Sequence, residues 1–416
     1  MNIGIYLQTW HVGGVATFCQ RLAYGLRKLG HSPCLILATP YGKRDEAGRL
    51  AYERLVQAAP SPIHCLHLNA FHPRERGWRA AELIARLNCE AIFLSSHQAV
   101  LEALPFLRRT AALIGIAHTD DPDSYADFCR AEPSCAAYVG VSNAILEALQ
   151  SRRKVLPPEA IHRIPYGVAA APGLAPPPVG AARILTVCRL VRGQKRVLDL
   201  PPIWRQYVTK GGTGTLTLCG PGEEATRLRR AFAEEIRRGR VMLTGAVPIE
   251  RMAEVYGAHD ILLNVSAYEG LPLVVLEAAM AGLYPLVSRT RSGHPEILEC
   301  LGEGRLCEIG DIDGFATALH DLSLRLDFVR AVRPRLRERV QAHYSLSRMV
   351  DSYAQLATEA GRGRSPLGLQ FADGELQLPR PTVDVFRRLV RRWQYGRHYG
   401  WRRDAGNRRD GGRAGG

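Results

Sequence analysis

Residues 264–296, which read NVSAYEGLPLVVLEAAMAGLYPLVSRTRSGHPE, decide the fold of this chain. The apolar run at residues 261–265 leads into this stretch and is typical of a buried strand. A turn that ends at Pro272 comes next, and a helical pattern then runs through Met280. We therefore predict a strand, a tight turn and a helix, with Pro272 at the first helical position, where a missing N–H costs nothing.

The amino end of this predicted helix has the properties of a ligand site. Its unpaired backbone N–H groups begin at Gly270 and Leu271, and such an end attracts anions. Glu269 lies in the turn, and Glu277 follows about two helical turns later. Carboxylates accept hydrogen bonds from sugar hydroxyls. Phosphate on the helix end and hydroxyls on the carboxylates would fit a nucleotide-sugar, whereas an exposed helix with ordinary acidic residues is the alternative.

The same stretch resembles a known family signature. Residues 266–281 (SAYEGLPLVVLEAAMA), 285–287 (PLV) and 292–296 (SGHPE) are similar to the signature of the retaining GT-B glycosyltransferases of family 4, the glycosyl transferases group 1. The likeness runs from residue 266 to residue 296 without a gap. It implies an α/β chain with the GT-B fold, in which two Rossmann-like domains face each other across a cleft.

Length and composition agree with a two-domain globular protein. The chain has 416 residues, of which 46% are hydrophobic and 7% aromatic. Its first residues, MNIGIYL, enter a strand at once and lack the pattern of a signal peptide. No apolar stretch reaches the ~18 residues of a membrane span, so we expect a cytoplasmic protein. The ten cysteines form no CxxC pair, which argues against metal knuckles.

Residues 1–170 alternate strands with helical patterns. Strands are predicted at residues 3–7, 34–37, 63–68, 91–95, 111–117 and 136–141. This alternation indicates a parallel sheet with helices on both faces, and ligands in such sheets bind at the carboxyl ends of the strands. His97, His118 and the pair Ser142 and Asn143 follow three of these strands. We therefore expect these polar groups at the ligand-binding edge.

Two places in this first half are assigned by the resemblance. Gly13 and Gly14 separate the first strand from the first helix, where glycines let backbone approach a phosphate. An ordinary turn is the alternative, since no G-x-G-x-x-G is present. The resemblance implies that this pair touches the donor diphosphate and that His118 contacts the transferred sugar. A loop histidine is otherwise usually solvated or locally bonded.

A possible metal motif also occurs near His118. Asp121, Pro122 and Asp123 spell the D-x-D of metal-dependent GT-A transferases. We discount that reading, because the motif requires a different fold and Asp-Pro-Asp is a common turn. No metal site is predicted.

The second half restarts after a Pro- and Gly-rich segment. We predict an acceptor domain at residues 1–170, a linker at 171–182, a nucleotide-sugar domain at 183–345, a helix at 346–360 that crosses back, and a tail at 361–416.

Two cations follow the strand at residues 183–188. Arg189 and Lys195 could clamp phosphate, whereas a solvated loop is the alternative and the one that we prefer for Arg192 and Arg196. The resemblance implies that Arg189 and Lys195 grip the diphosphate, although their spacing is one residue longer than the common form of the motif.

Two further segments are assigned by the resemblance alone. Gly220 belongs to a turn that is similar to the G-x-G segment of the family. Ala246 and Val247, which follow the strand at residues 241–245, are implied to hold the nucleobase through their backbone. Backbone contacts leave little trace in side-chain identity, so the base cannot be read here, and UDP is the nucleotide that we favour.

The tail departs from the family and carries much of the net charge of +15. Within it, residues 383–399 (VDVFRRLVRRWQYGRHY) mix apolar side chains such as Phe386 and Trp393 with arginines. A basic amphipathic helix on an anionic membrane surface, at the inner face of the membrane, fits this pattern. A nucleic-acid arm and a disordered soluble tail are the alternatives, and we expect no nucleic acid partner.

These observations predict a retaining hexosyltransferase that moves a sugar from a nucleotide-sugar to the hydroxyl of a glycan or lipid-linked acceptor. Glu277 is expected to bind ribose, Glu269 the sugar, and His118 to orient the sugar. Lys195, Arg189 and the helix end would stabilise the leaving diphosphate, so that neither a cofactor nor a metal is required.

We expect this activity in the synthesis of bacterial cell-surface glycan, lipopolysaccharide or exopolysaccharide. A GT-B phosphorylase, a nucleotide-sugar epimerase and a non-catalytic protein that binds nucleotide-sugars or anionic polymers are the alternatives.

Overall fold

A computed structural model describes residues 1–10, 13–39, 46–58, 61–66, 77, 80–82, 84–95, 100–101, 103–108, 110–170, 173, 175–362, 371–372 and 375–376. The predictions for His97 and for the membrane segment at residues 383–399 lie outside this part of the chain.

The first half forms a parallel sheet of seven strands in the order β3-β2-β1-β4-β5-β6-β7. The strands are β1 (Asn2–Thr9), β2 (Ser32–Thr39), β3 (Ile63–Cys65), β4 (Ala91–Leu94), β5 (Ala112–Ala117), β6 (Ala137–Gly140) and β7 (Ile161–Arg163). The helices are α1 (Gly14–Lys28), α2 (Glu46–Ala58), α3 (Leu104–Leu107), α4 (Pro122–Ala131) and α5 (Asn143–Arg152). The predicted parallel α/β sheet is confirmed.

The second half forms a parallel sheet of six strands in the order β10-β9-β8-β11-β12-β13. The strands are β8 (Arg183–Val187), β9 (Thr215–Cys219), β10 (Val241–Gly245), β11 (Ile261–Asn264), β12 (Tyr284–Ser288) and β13 (Arg305–Cys307). Strands β11 and β12 are buried along their whole length, as expected for parallel strands covered on both faces.

Ten α-helices follow strand β8 along the described part of the chain. They are α6 (Leu200–Thr209), α7 (Ala225–Ala231), α8 (Ala233–Arg237), α9 (Met252–Gly257), α10 (Leu273–Met280), α11 (His294–Leu301), α12 (Ile312–Leu324), α13 (Leu326–Ala331), α14 (Arg333–His343) and α15 (Leu346–Gly361). None of the helices in the described ranges is both long and apolar enough to cross a bilayer.

The last of these helices returns to the first sheet. The ring of Tyr353 on α15 packs against Phe18 of α1 and Phe93 of β4, with ring centroids 5.4 and 5.2 Å apart. Gly25 of α1 allows the close approach, because a Cβ at this position would lie 2.3 Å from a methyl group of Val350. The core of the first half therefore includes a helix from the far end of the chain.

Two predicted element boundaries were wrong, and one strand was not predicted. Helix α10 begins at Leu273, because Pro272 has an extended ψ of 107° and lies at the capping position outside the helix. Strand β3 ends at Cys65 rather than at residue 68. Strand β7 was missed, since it has only three residues and two of them, His162 and Arg163, are polar.

Residues 368–416 form a separate compact unit. Its described part is an antiparallel pair of short strands, β14 (Phe371–Ala372) and β15 (Glu375–Leu376).

Candidate active site

The turn before α10 is where the two halves of the chain meet. Gly270 forms a bridge with Thr119, which follows β5 in the first half. A Cβ on Gly270 would lie 1.8 Å from the carbonyl oxygen of His118, so only glycine fits there. From the other side, Ser292 Oγ donates a hydrogen bond of 2.7 Å to the Gly270 carbonyl. The turn is thus held between the end of β5 and the loop that leads into α11.

The amino end of α10 has no side-chain cap. By helix geometry, the first N–H groups, those of Leu273 and Val274, have no partner within the helix, whereas the Val275 N–H already donates to the Pro272 carbonyl at 3.0 Å. Leu271 and Pro272 are buried beside this end. The helix begins one residue later than expected, and anion binding at its amino end stays a prediction.

Lys195 and Glu269 form a buried ion pair in front of this helix end. The Nζ atom lies 2.5 Å from Oε1, and the side chains are 13% and 7% exposed. Burial acts to raise the pKa of the Glu269 carboxyl, but the charge of Lys195 and the hydrogen bonds to the carboxyl outweigh it and lower the pKa. Glu269 is therefore ionised at neutral pH. It is paired with Lys195, one of the two cations that are predicted to bind the diphosphate.

Arg189 does not reach the same place. It is exposed, and its Nη2 donates to the side-chain oxygen of Gln194 at 3.3 Å. Gln194 in turn donates to the carbonyl of Tyr268 at 3.3 Å and accepts a backbone hydrogen bond of 2.8 Å from Ala267. The loop that carries both cations is therefore tied to the residues before Glu269, with Lys195 inside and Arg189 at the rim.

Glu277 is held by two side chains that sequence reasoning did not single out. Arg21 of α1 donates from Nη2 to Oε1 at 2.7 Å, and the Tyr256 hydroxyl donates to Oε2 at 2.8 Å. Burial and the neighbouring Glu277 charge raise the pKa of Tyr256 well above its ordinary value, so that it remains a donor. No sequence pattern indicated the Arg21 contact, because the two residues lie in different halves of the chain.

The predicted glycine loop lies beside the same helix. Gly13 precedes α1 in an extended conformation, and Gly14 is the first residue of α1. A Cβ on Gly14 would lie 3.8 Å from the Leu273 side chain at the start of α10. The amino ends of α1 and α10 are therefore neighbours, and both favour negative charge.

His118 is buried at the end of β5. Its Nδ1 lies 2.5 Å from the Tyr166 hydroxyl, and its ring packs edge-on against Phe18 at 5.2 Å. Burial raises the pKa of Tyr166 well above its ordinary value, so the phenol stays protonated. The ring of His118 is thus fixed by packing, and its carbonyl oxygen contacts the turn at Gly270.

His294 is a candidate that the sequence analysis did not assign. Its Nδ1 donates to the Ser288 carbonyl at 2.7 Å. Burial lowers the pKa of His294 to about 4, although the nearby charge of Glu269 acts against that shift. The ring is therefore neutral at pH 7, and its buried Nε2 has no hydrogen-bond partner within the described part of the chain. His294 is the histidine of the SGHPE segment, but the sequence analysis used that segment only as part of the family signature.

The predicted glycine turn at Gly220 and the predicted nucleobase residues Ala246 and Val247 lie at the carboxyl ends of β9 and β10. Gly220 has φ +138°, and a Cβ there would lie 1.9 Å from the carbonyl oxygen of Cys188. Its N–H donates to the Gly245 carbonyl at 2.8 Å. Ala246 is exposed and Val247 is half-buried just beyond. Gly220 is therefore needed for the close approach of neighbouring strand ends, on the same edge of the sheet as Arg189.

Asp121, the first residue of the D-x-D sequence, has a local partner. The Asp121 carboxylate caps α4 by accepting hydrogen bonds from the backbone N–H and the hydroxyl of Ser124 at 2.9 and 3.0 Å. Over the residues that the structure describes, no group of His, Cys, Asp or Glu side chains could hold a metal ion. Metal independence itself remains a prediction.

A cavity of about 680 Å³ opens beside Glu269 and is lined from both halves. Asp120 and Tyr125 lie on the first half, and Arg291 reaches them from the second half. Arg291 Nε lies 2.7 Å from Asp120 Oδ2, and the Tyr125 hydroxyl donates to Asp120 Oδ1 at 2.5 Å. Arg152 stacks over the Tyr125 ring at 4.6 Å. This cavity offers room for a small ligand next to the Glu269 carboxylate.

Both halves of the chain match known domain families. Residues 12–171 match the family model described as Glycosyltransferase Family 4, and residues 181–324 match the model described as Glycosyl transferases group 1. The boundary between the two matches falls in the Pro- and Gly-rich segment.

Sequence relatives align over part of the chain. N-acetyl-alpha-D-glucosaminyl L-malate synthase of Bacillus anthracis is 29% identical over 162 residues, which cover 39% of this chain and 42% of that protein. The lipopolysaccharide core biosynthesis glycosyltransferase LpsE of Rhizobium meliloti is 32% identical over 142 residues, covering 34% and 41%. The chain thus spans less than half the length of these curated relatives.

Solved structures align over most of the chain. A glycosyltransferase from Rickettsia africae matches with a TM-score of 0.70 and 16% identity, covering 87% of this chain and 99% of that one. HepE of Anabaena in complex with UDP and glucose matches with a TM-score of 0.70 and 15% identity, covering 86% and 100%. At these identities the likeness establishes the fold. The chain is therefore a protein of the GT-B fold whose two halves match glycosyltransferase domain families.

Proposed function

We propose that this protein is a retaining, metal-independent glycosyltransferase that transfers a hexose from a nucleotide-sugar, with UDP as the favoured nucleotide, to an acceptor hydroxyl. The single observation that carries this proposal is the buried Lys195–Glu269 pair at the uncapped amino end of α10. A cation that suits a phosphate and a carboxylate that suits sugar hydroxyls lie side by side there, next to the cavity.

The donor would replace part of this ion pair. Its diphosphate takes the Lys195 ammonium and the N–H groups at the start of α10, and its sugar hydroxyls donate to Glu269. Because the pair is buried, these groups act in an environment where electrostatic interactions are stronger than in water. Arg189 lies at the rim of the same loop and completes the binding of the diphosphate when its side chain turns inward.

The reaction breaks the bond between the anomeric carbon and the diphosphate oxygen and forms a bond from that carbon to the acceptor oxygen. Negative charge develops on the departing diphosphate, where Lys195 and the helix end stabilise it. The acceptor hydroxyl gives its proton to a diphosphate oxygen on the same face of the sugar. Attack from that face retains the anomeric configuration, and no divalent ion takes part.

The other predicted residues hold the substrates in place. Glu277 binds the ribose hydroxyls about one turn along α10, roughly 6 Å from the helix start by the rise of an α-helix. His118 positions the sugar from the end of β5. The backbone at Ala246 and Val247 contacts the nucleobase, and the turn at Gly220 belongs to the donor site.

The proposal for the substrates rests on relatives and on the cavity. The Anabaena structure contains UDP and glucose, and two relatives from Erwinia amylovora act in amylovoran biosynthesis. A glycan or lipid-linked acceptor in cell-surface glycan, lipopolysaccharide or exopolysaccharide synthesis is therefore proposed for the cavity beside Glu269.

Ligand binding and product analysis test this function. UDP-, GDP- and ADP-sugars are compared by thermal shift, and the best donor is then incubated with candidate acceptors. The expected result is stabilisation by one nucleotide-sugar and a product whose anomeric configuration, read by NMR, is that of the donor. A product of inverted configuration would refute retention. Absence of binding by every nucleotide-sugar, with folded protein, would refute the function as a whole.

A further inference from the structure

An ion pair joins the two halves of the chain at the proposed ribose site. Arg21 lies on α1 in the first half, and Glu277 lies on α10 in the second half, 256 positions apart. Arg21 Nη2 lies 2.7 Å from Glu277 Oε1, and the side chains are 19% and 20% exposed. The contact is thus part of the interface on which the proposed donor site is built.

Glu277 retains acceptor capacity in this arrangement. Arg21 occupies Oε1, and the Tyr256 hydroxyl donates to Oε2 at 2.8 Å. Each carboxylate oxygen accepts two hydrogen bonds, so each keeps one lone pair. Two donors on opposite oxygens fix the plane of the carboxylate. The remaining lone pairs suit a pair of adjacent hydroxyls, such as those of ribose.

Arg21 has a second nitrogen that its protein neighbours do not use. Nη1 is buried, and no residue in the described part of the chain accepts a hydrogen bond from it. A buried donor on a charged group without a partner is costly, and native proteins rarely leave one. An oxygen of a bound ligand would satisfy it.

The surroundings show which ligand would reach this nitrogen. Gly14, at the start of the same helix α1, lies beside Leu273 at the start of α10. The phosphate end of the donor is placed at these helix starts, next to Lys195. Arg21 lies about two turns further along α1, where the nucleoside of the donor must lie if Glu277 binds its ribose.

We propose that Arg21 is a donor-positioning residue supplied by the first half of the chain. Nη2 orients the ribose-binding carboxylate of Glu277, and Nη1 donates a hydrogen bond to an oxygen of the nucleoside. This inference rests on the proposed function, since it assumes a nucleotide donor. Its consequence is that the nucleoside site is complete only when both halves are in contact, so donor binding and closure of the cleft favour each other.

Calorimetry with UDP and with inorganic pyrophosphate tests the proposal in wild type and in the variants Arg21→Gln, Arg21→Lys and Lys28→Gln. Lys28 lies on the same helix at an exposed position and is the matched control. Arg21→Gln should weaken UDP binding by ~10-fold or more, the range of hydrogen bonds to charged groups. Arg21→Lys, which keeps the charge but lacks the second nitrogen, should recover part of this loss.

Pyrophosphate separates this role from a general effect on structure. Its affinity should be unchanged in both Arg21 variants, because the phosphates bind at Lys195 and the helix end. Equal loss of UDP and pyrophosphate binding would overturn the nucleoside contact and indicate a structural role. UDP binding as tight as in wild type would overturn the inference alone, whereas a wild-type protein that binds no nucleoside diphosphate would overturn the proposed function with it.

Discussion

Lys195 Nζ lies 2.5 Å from Glu269 Oε1, in a buried ion pair at the uncapped amino end of α10. Without a donor, the two groups satisfy each other. A nucleotide-sugar that brings both an anion and hydroxyls can replace both partners at once, whereas a bare sugar or a bare anion replaces only one. The pair therefore favours ligands that carry phosphate and sugar together.

Replacing Lys195 by Met should reduce kcat by about 10²- to 10³-fold, the effect of removing one group that stabilises charge in a transition state. The variant also leaves Glu269 buried without its cation, which destabilises the fold. Steady-state kinetics and urea unfolding measure the two effects. The double variant Lys195→Met with Glu269→Gln should regain stability but not activity. Arg192→Met, at an exposed position in the same loop, is the control. A similar kcat in Lys195→Met and Arg192→Met would contradict the role of Lys195 in stabilising the leaving diphosphate.

Replacing Glu277 by Ala should weaken donor binding by ~10-fold or more, since hydrogen bonds to a charged group are lost. Tyr256→Phe should have a smaller effect, because it removes only one group that orients the carboxylate. Calorimetric titration with the nucleotide-sugar measures both, with Glu250→Ala at an exposed position as control. Unchanged donor affinity in Glu277→Ala would show that ribose binds elsewhere.

The stability of the fold should depend on His294 between pH 6.5 and 4. Its pKa is depressed from 6.5 to about 4, so over this interval the unfolded chain binds a proton that the folded chain does not. Stability should therefore fall as pH falls, by about 3 kcal/mol in total from this group. Urea unfolding at pH 7 and pH 5 measures the loss.

His294→Gln should show a smaller loss between these two pH values than wild type. His343→Gln, at an exposed position, is the matched control. If His294→Gln and wild type lose the same stability, the histidine is not held neutral as described.

Replacing Gly270 by Ala should prevent the observed contact between the two halves. The added Cβ would lie 1.8 Å from the His118 carbonyl oxygen, so the backbones must separate at this point. We expect a larger radius of gyration by small-angle scattering and a loss of turnover. Gly173→Ala, where a Cβ meets nothing within 4 Å, is the control. Wild-type turnover in Gly270→Ala would mean that this contact is not used in the reaction.

Turnover should persist in EDTA, because Lys195 and the helix end supply the charge that a metal supplies in other transferases. Asp121, the first residue of the D-x-D sequence, caps α4 with its carboxylate. Activity is measured before and after chelation, and then with added Mn²⁺. Complete loss in EDTA that Mn²⁺ restores would revive the D-x-D motif as a metal site.

The sequence predicted the two sheets well because their strands are continuous apolar runs between helices, as in β11 and β12. The start of α10 was placed one residue early, since proline fits both the capping position and the first helical position, and only ψ distinguishes them. Residue types alone do not show that distinction.

The site was predicted less completely than the fold. Lys195 and Glu269 were each assigned to a ligand, but their mutual ion pair depends on distances that no spacing reveals. Arg21 was overlooked because its partner lies 256 positions away in the other half. The neutral state of His294 follows from the burial of its ring, and the ring is oriented by a hydrogen bond to the Ser288 carbonyl. Neither feature can be read from the neighbouring residues in the sequence.

The return of α15 to the first sheet has a consequence for biosynthesis. Tyr353 fills the space between Phe18 and Phe93, two residues made more than 250 positions earlier. When a ribosome has translated only the first half, the hydrophobic core of that half therefore still lacks one of its helices. Final consolidation of that half must wait until translation has passed Gly361.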